Sequence, residues 1–136
     1  MRIFSVLSSP DAAARFALTA FFAVVFLQSG LDKVFDRQGN LAWLTGHFKD
    51  SGLRDLVPQL LSLLTALELS AGFFCGLGVL FTDFRNTGWS IAAIGVFLAA
   101  LALLSLIVGQ RMAKDYAGAA VVAAYFTAAL VGLALF

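Results

Sequence analysis

Charged residues are so sparse and so unevenly spaced in this sequence that they divide it into four apolar runs. Arg15 and Asp32 bracket the first, Asp55 and Asp83 the second, Arg85 and Arg111 the third, and the fourth follows Asp115 to Phe136. A helix needs about 20 apolar residues to cross the hydrocarbon core of a bilayer. Lipid offers backbone N–H and C=O groups no partner outside their own segment, so all four runs are expected to be helical. The second begins in practice at Pro58 and is interrupted only by Glu68. The first, taken as residues 16–31, would reach only about 24 Å at about 1.5 Å per residue. Val34 and Phe35, apolar residues beyond Asp32 and Lys33, extend it. The expected spans are residues 12–35, 58–81, 87–109 and 115–136. The first is long for a signal peptide, contains Gln28 and ends in charges instead of a small-x-small cleavage site, so it is read as a retained span.

Composition agrees: 61% of the 136 residues are hydrophobic and 12% are charged, against roughly 25% charged in soluble domains. A net charge of +1 gives no field to hold nucleic acid, which is excluded as a partner. One cysteine, Cys75, excludes a disulfide framework, a Cys-x-x-Cys relay and a cysteine-built zinc site, and is read as a packing residue. A single histidine, His47, leaves no pair for bis-histidine haem, and Met112 is a poorer candidate for haem ligation still. No metal or covalently held cofactor is expected. The connections at residues 82–86 and 109–114 are short, which makes consecutive helices antiparallel. The expected fold is therefore all-α, a single-domain integral membrane four-helix bundle running up-down-up-down. The one sizeable loop, residues 36–57, carries Leu41, Leu44 and Phe48 at helical spacing, with Asn40 placed to cap and Gly52 to terminate. It is read as a short amphipathic helix in the membrane interface, Trp43 at headgroup level and His47 a polar interfacial side chain.

The polar residues within or beside the spans carry the functional signal. Glu68 falls near the middle of its span, where an ionised carboxylate is strongly disfavoured. It must face the interior and be either neutral or paired. Thr65, Glu68, Gly72, Cys75 and Gly76 share one side of that helix, and Gly72 and Gly76 form a small-xxx-small pair suited to close helix approach. Gln28 and Asp32 lie one turn apart at the end of the first span, with Lys33 beside them. Gln110 and Arg111 close the third span, and Lys114, Asp115 and Tyr116 open the fourth. Followed along the chain, these ends share one membrane side, so they describe a polar mouth descending toward Glu68. Its charges cancel, Asp32, Glu68 and Asp115 against Lys33, Arg111 and Lys114. Two uses fit. The groups can form buried ion pairs and hydrogen bonds that only fix helix register, or they can line a one-sided pocket that binds the polar head of a small amphiphile.

The same residues resemble a known family. The segment Phe26-Leu-Gln-Ser-Gly-Leu-Asp-Lys-Val-Phe-Asp36 is similar to the end of the first helix of DoxX-like membrane proteins, where a hydrophobic run closes on a Ser-Gly-x-x-Lys pattern. Leu67 to Thr82 resembles that family's second helix, with a mid-helix Glu, a Gly four residues on and a Leu-Gly close. Gly109-Gln-Arg-Met-Ala-Lys-Asp-Tyr116 is similar to the segment joining the third and fourth helices in one branch. The resemblance covers nearly the whole chain and implies the same four-helix bundle. It implies a multi-pass subunit of the bacterial inner membrane, associated with quinone-linked oxidoreductase systems, with other membrane or redox proteins or further copies of the chain as partners. Carried over by motif, it points to Lys33 and Glu68, with Gln28 and Asp32 as neighbours. The chain departs from an independent redox enzyme in offering no cysteine pair, haem ligands or flavin motif.

Three functions follow, in order. The first is a membrane subunit binding a small amphiphile such as a quinone. The second is a non-catalytic accessory subunit with an architectural polar cluster. The third is a small-solute transport unit, ranked last because no helix is broken at mid-membrane. Both termini should share one side. Six basic residues (Lys33, Arg37, Lys49, Arg54, Arg111, Lys114) against three (Arg2, Arg15, Arg85) would place the first and third loops in the cytoplasm. That bias vanishes if Lys33, Arg111 and Lys114 are paired inside, and orientation is left open.

Overall fold

The structure is a computed structural model that describes residues 9–81 and 85–136. Five helices account for it: α1 (Pro10–Phe35), α2 (Arg37–His47), α3 (Val57–Leu80), α4 (Arg85–Met112) and α5 (Tyr116–Leu135), with a single 3-10 turn at Arg54–Leu56 before α3. No strand occurs among the described residues. Helices α1, α3, α4 and α5 are each long and apolar enough to cross a membrane. By that criterion the chain is a membrane protein. The connection at 82–84, and with it Asp83, lies outside the described residues, as does Arg2.

Local chemistry sets the helix ends. Ser9 caps α1 by accepting from the Ala12 N–H at 3.2 Å, and Pro10 occupies the first turn, where its missing N–H costs nothing. Asp36 serves two helices. Its backbone N–H closes α1 on the Asp32 carbonyl at 2.8 Å, and its carboxylate caps α2 by accepting from the Gly39 N–H at 3.2 Å. The expected cap, Asn40, instead lies in the first turn of α2. Its side chain donates to the Asp36 carbonyl at 2.8 Å, which ties α2 back to the end of α1. Asp36 prevails because it sits where the chain bends, with its carboxylate free to reach the first orphaned N–H groups. At its other end α2 stops at His47, short of Gly52, with the Phe48 N–H closing on the Leu44 carbonyl.

Between α4 and α5 the Lys114 N–H donates to the Arg111 carbonyl and the Asp115 N–H to the Gln110 carbonyl, the paired bonds of a Schellman motif. Lys114 occupies the left-handed position, φ 61°, where glycine is usual. Asp115 then caps α5 by accepting from the Gly118 N–H at 2.9 Å.

Helix α3 packs along α1 on one side and α4 on the other, α5 packs on α4, and α1 also touches α4 and α5. The shared core is made by Phe22, Phe26, Ala71, Cys75, Val96, Ala99, Leu103 and Ala129. Small residues permit the closest approaches. A Cβ at Gly95 would lie 2.5 Å from the Cys75 backbone nitrogen, and one at Gly72 would lie 2.7 Å from that of Leu27. Far from α2, Arg15 of α1 lies against the rings of Trp89 and Phe136, 5.7 and 5.8 Å from their centroids.

Candidate functional site

Two features stand out, and they are separate. The first is a buried polar junction between α1 and α3. Glu68 is 1% exposed. Its Oε2 accepts from the Ser29 hydroxyl at 2.9 Å and lies 3.0 Å from Lys33 Nζ. Lys33 also donates to Ser29 Oγ at 2.9 Å, which closes a triangle of three side chains. Helix geometry explains how a lysine only two residues from the end of α1 reaches this depth. Side chains lean toward the N-terminus of their helix, so the Lys33 stem runs back along α1 over Ser29, one turn earlier.

The inward stripe of α1 is Phe22, Phe26, Ser29, Gly30 and Lys33. Gln28 and Asp32 sit one residue, about 100°, around the helix and are exposed. The junction therefore takes Lys33 and Glu68 together with Ser29, and leaves Gln28 and Asp32 out. Asp32 faces α2, where its carboxylate lies 3.4 Å from the Asn40 amide. Ser29, the serine of the Ser-Gly-x-x-Lys pattern, is not among the residues the sequence marks as ligand-binding. The signal that finds it is the apolar periodicity of α1, which puts position 29, and not 28, on the buried face.

The second feature is a cavity of about 460 Å³ beneath α2, between the first half of α3 and the last turns of α4. Helix α2 roofs it with Trp43, Leu44, His47 and Phe48. The first half of α3 supplies a wall of leucines that includes Leu60, Leu64 and Leu67. The last turns of α4, with Leu104, Ser105, Val108, Gly109, Gln110 and Met112, make the other wall. Leu63, Leu104 and Val108 are among its lining residues and are well exposed on the outer face of the helices, so the cavity opens sideways between α3 and α4. The roof is loosely held. None of α2's residues is buried. Arg37 anchors its beginning by donating to Ser62 Oγ at 2.9 Å and to the Pro58 carbonyl at 3.3 Å. At its far end His47 Nε2 lies 3.7 Å from Asp115 Oδ2. The His47 ring stacks on Trp43, with centroids 4.5 Å apart and planes 17° from parallel.

Of the residues expected to line a single polar mouth, Gln110 alone lines this cavity; Glu68, Lys33, Asp32 and Gln28 do not. The other members of the α4–α5 turn are spent on its architecture. Asp115 caps α5 and faces His47, Lys114 is the exposed turn residue, and Arg111 stacks over the Tyr116 ring at 4.8 Å, both of them exposed. His47 and Trp43, read from the sequence as interfacial decoration, are the polar and aromatic rim of the cavity. Leu61 and Leu64, which line the cavity, lie two turns and one turn before Glu68 on nearly the same face of α3, so the two regions are separated along the helix, the cavity nearer α2 and the junction deeper. No group of three metal-ligating side chains occurs among the described residues. Comparison with protein-family models, with curated proteins and with solved structures found no match.

Proposed function

We propose that the chain is a DoxX-like membrane subunit, an up-down-up-down four-helix bundle of the bacterial inner membrane. In this reading it holds a small amphiphile, such as a quinone, for a membrane oxidoreductase system. The observation that carries the reading is the cavity beneath α2. Its volume of about 460 Å³ lies within the range of small-molecule sites, its walls are leucine-rich, and its polar groups are few. Its sideways opening suits a ligand that arrives dissolved in lipid. A quinone asks for hydrogen-bonding groups and an apolar channel. His47, Gln110 and Ser105 are the groups that would meet its ring, with the leucines of α3 along its tail. Bound there, a quinone would supply electron-carrying capacity to partner proteins, and this chain's part would be to bind and orient it.

Mass spectrometry of organic extracts from gently purified protein tests the reading. Near-stoichiometric quinone is expected; extracts that consistently hold none contradict it.

The architectural alternative finds support at the other feature. Lys33, Ser29 and Glu68 satisfy one another within the α1–α3 seam, as helix-locking groups do. We therefore read the junction as the lock and the cavity as the site. With Lys33 withdrawn into that lock, five basic residues still stand on the α2 side against three opposite, which favours a cytoplasmic α2 and both termini on the other face.

A further inference from the structure

The charge of the cavity's ligand can be argued from what lines it. No Lys, Arg, Asp or Glu is among the described residues that line it. Its polar groups are the imidazole of His47, the indole N–H of Trp43, the Ser105 hydroxyl and the Gln110 amide. The Ser105 hydroxyl already donates to the Leu101 carbonyl at 2.9 Å, so it can offer a ligand only an acceptor. The charge placed against His47 is the Asp115 carboxylate, 3.7 Å from Nε2 and itself engaged at the cap of α5. An anionic head placed beside His47 would therefore meet a carboxylate behind it and no Lys or Arg among the described residues that line the cavity. In an apolar surrounding such a charge is strongly disfavoured.

We infer that the cavity takes an uncharged, hydrogen-bonding head at its α2–α4 end, with His47 as the docking group, and rejects anionic lipids. Asp115 acts through His47 as a positioning residue: at 3.7 Å from Nε2, beyond hydrogen-bond reach, its charge biases the ring's orientation, and Nδ1 is left for the ligand. The flat stacking of Trp43 on His47 holds the same ring from its face. The inference rests on the reading of the cavity as an amphiphile site and narrows what that site accepts.

The chain's two tryptophans make the test direct. Trp43 lines the cavity, whereas Trp89 lies with Arg15 and Phe136, away from it. In a Trp89→Phe chain reconstituted in lipid nanodiscs, Trp43 is the sole reporter. Two probes are titrated at about pH 8, above the ordinary carboxyl range: a brominated long-chain alcohol and the brominated fatty acid of the same chain. Bromine quenches tryptophan on contact. The alcohol should quench Trp43 saturably, be displaced by its unbrominated form, and bind on the order of tenfold or more tightly than the acid. His47→Ala should weaken the alcohol several-fold, and His47→Gln, which keeps a hydrogen-bonding group, should recover part of the loss. Trp43→Phe, with Trp89 remaining, should show only the unsaturable quenching of bulk lipid. Equal or tighter saturable binding of the acid overturns the inference on head charge while leaving the amphiphile reading intact. Alcohol binding unaffected by His47→Ala overturns the docking role. If neither probe quenches Trp43 saturably, the inference and the amphiphile reading fall together.

Discussion

Replacing Lys33 with Met should expose how the two long spans α1 and α3 are locked. The substitution keeps the length of the stem and removes the ammonium that lies 3.0 Å from Glu68 Oε2. Glu68 is 1% exposed, so its carboxylate would be left with the Ser29 hydroxyl as its one remaining polar contact among the described residues. Breaking a buried ion pair from one side costs about 3–5 kcal/mol. Glu68→Gln should cost less, because the Lys33 side chain is 14% exposed and can swing outward along its own stem to the interface. In the double variant neither charge remains, so the penalty of an uncompensated carboxylate disappears. The double variant should therefore be more stable than the sum of the singles predicts, by about 2 kcal/mol. That is about a 30-fold difference in the folding equilibrium. Ser29→Ala should add a smaller loss of about 1 kcal/mol. The assay is equilibrium unfolding in mixed micelles followed by helical circular dichroism, run on the full cycle. Single losses that sum to the double within about 0.5 kcal/mol would refute the reasoning, because groups that act as one unit cannot be additive.

Other consequences are as concrete. Infrared difference spectra against Glu68→Gln should show an ionised carboxylate band for the native chain at neutral pH, as the contact with Lys33 requires; a protonated carboxyl band there contradicts the pairing. Gly95→Ala would place a methyl 2.5 Å from the Cys75 backbone nitrogen, with the α3–α4 contact unable to part cheaply. It should destabilise by about 1–3 kcal/mol in the same unfolding assay. Gly46→Ala meets nothing within 4 Å in the exposed part of α2, and its φ is not positive. It should therefore be neutral or stabilise by up to about 1 kcal/mol. Lys114→Gly removes a side chain from a left-handed position and should raise stability by about 1 kcal/mol; a loss would show that the lysine makes a contact worth more than the strain.

How much of this was legible beforehand depended on which physical signal carried it. The four long helices were written in charge spacing, because lipid forbids charged interruptions and their positions mark the span ends directly. Glu68 was legible for the same reason, as an intolerable group that had to find a partner. The face of α1 was not. The eye falls on Gln28 and Asp32 because they are polar, but the buried stripe is set by Phe22 and Phe26, and continuing it lands on Ser29 and Lys33. A small hydroxyl gives no composition signal, only a positional one. The cavity was illegible for a different reason. It arises where α2 spans the gap between α3 and α4, a tertiary event that no local pattern in residues 36–57 encodes. His47 and Trp43 look alike in sequence whether they decorate a membrane surface or roof a cavity. In the α4–α5 segment Lys114 turns the chain and Asp115 caps α5, roles set by backbone geometry that residue type alone does not display.

The central claim is that the cavity, and not the buried ion pair, is where a ligand sits. One measurement separates them: the amount of small amphiphile co-extracted per chain from native protein, from Leu64→Trp and from Glu68→Gln, each first shown to keep its helical content. Leu64 is part of the cavity wall, an indole there takes up cavity space, and Leu64 is none of the groups that hydrogen-bond or pair with Glu68. The account predicts near-stoichiometric ligand in the native and Glu68→Gln chains and its loss from Leu64→Trp. Ligand retained in Leu64→Trp and lost from Glu68→Gln would contradict it.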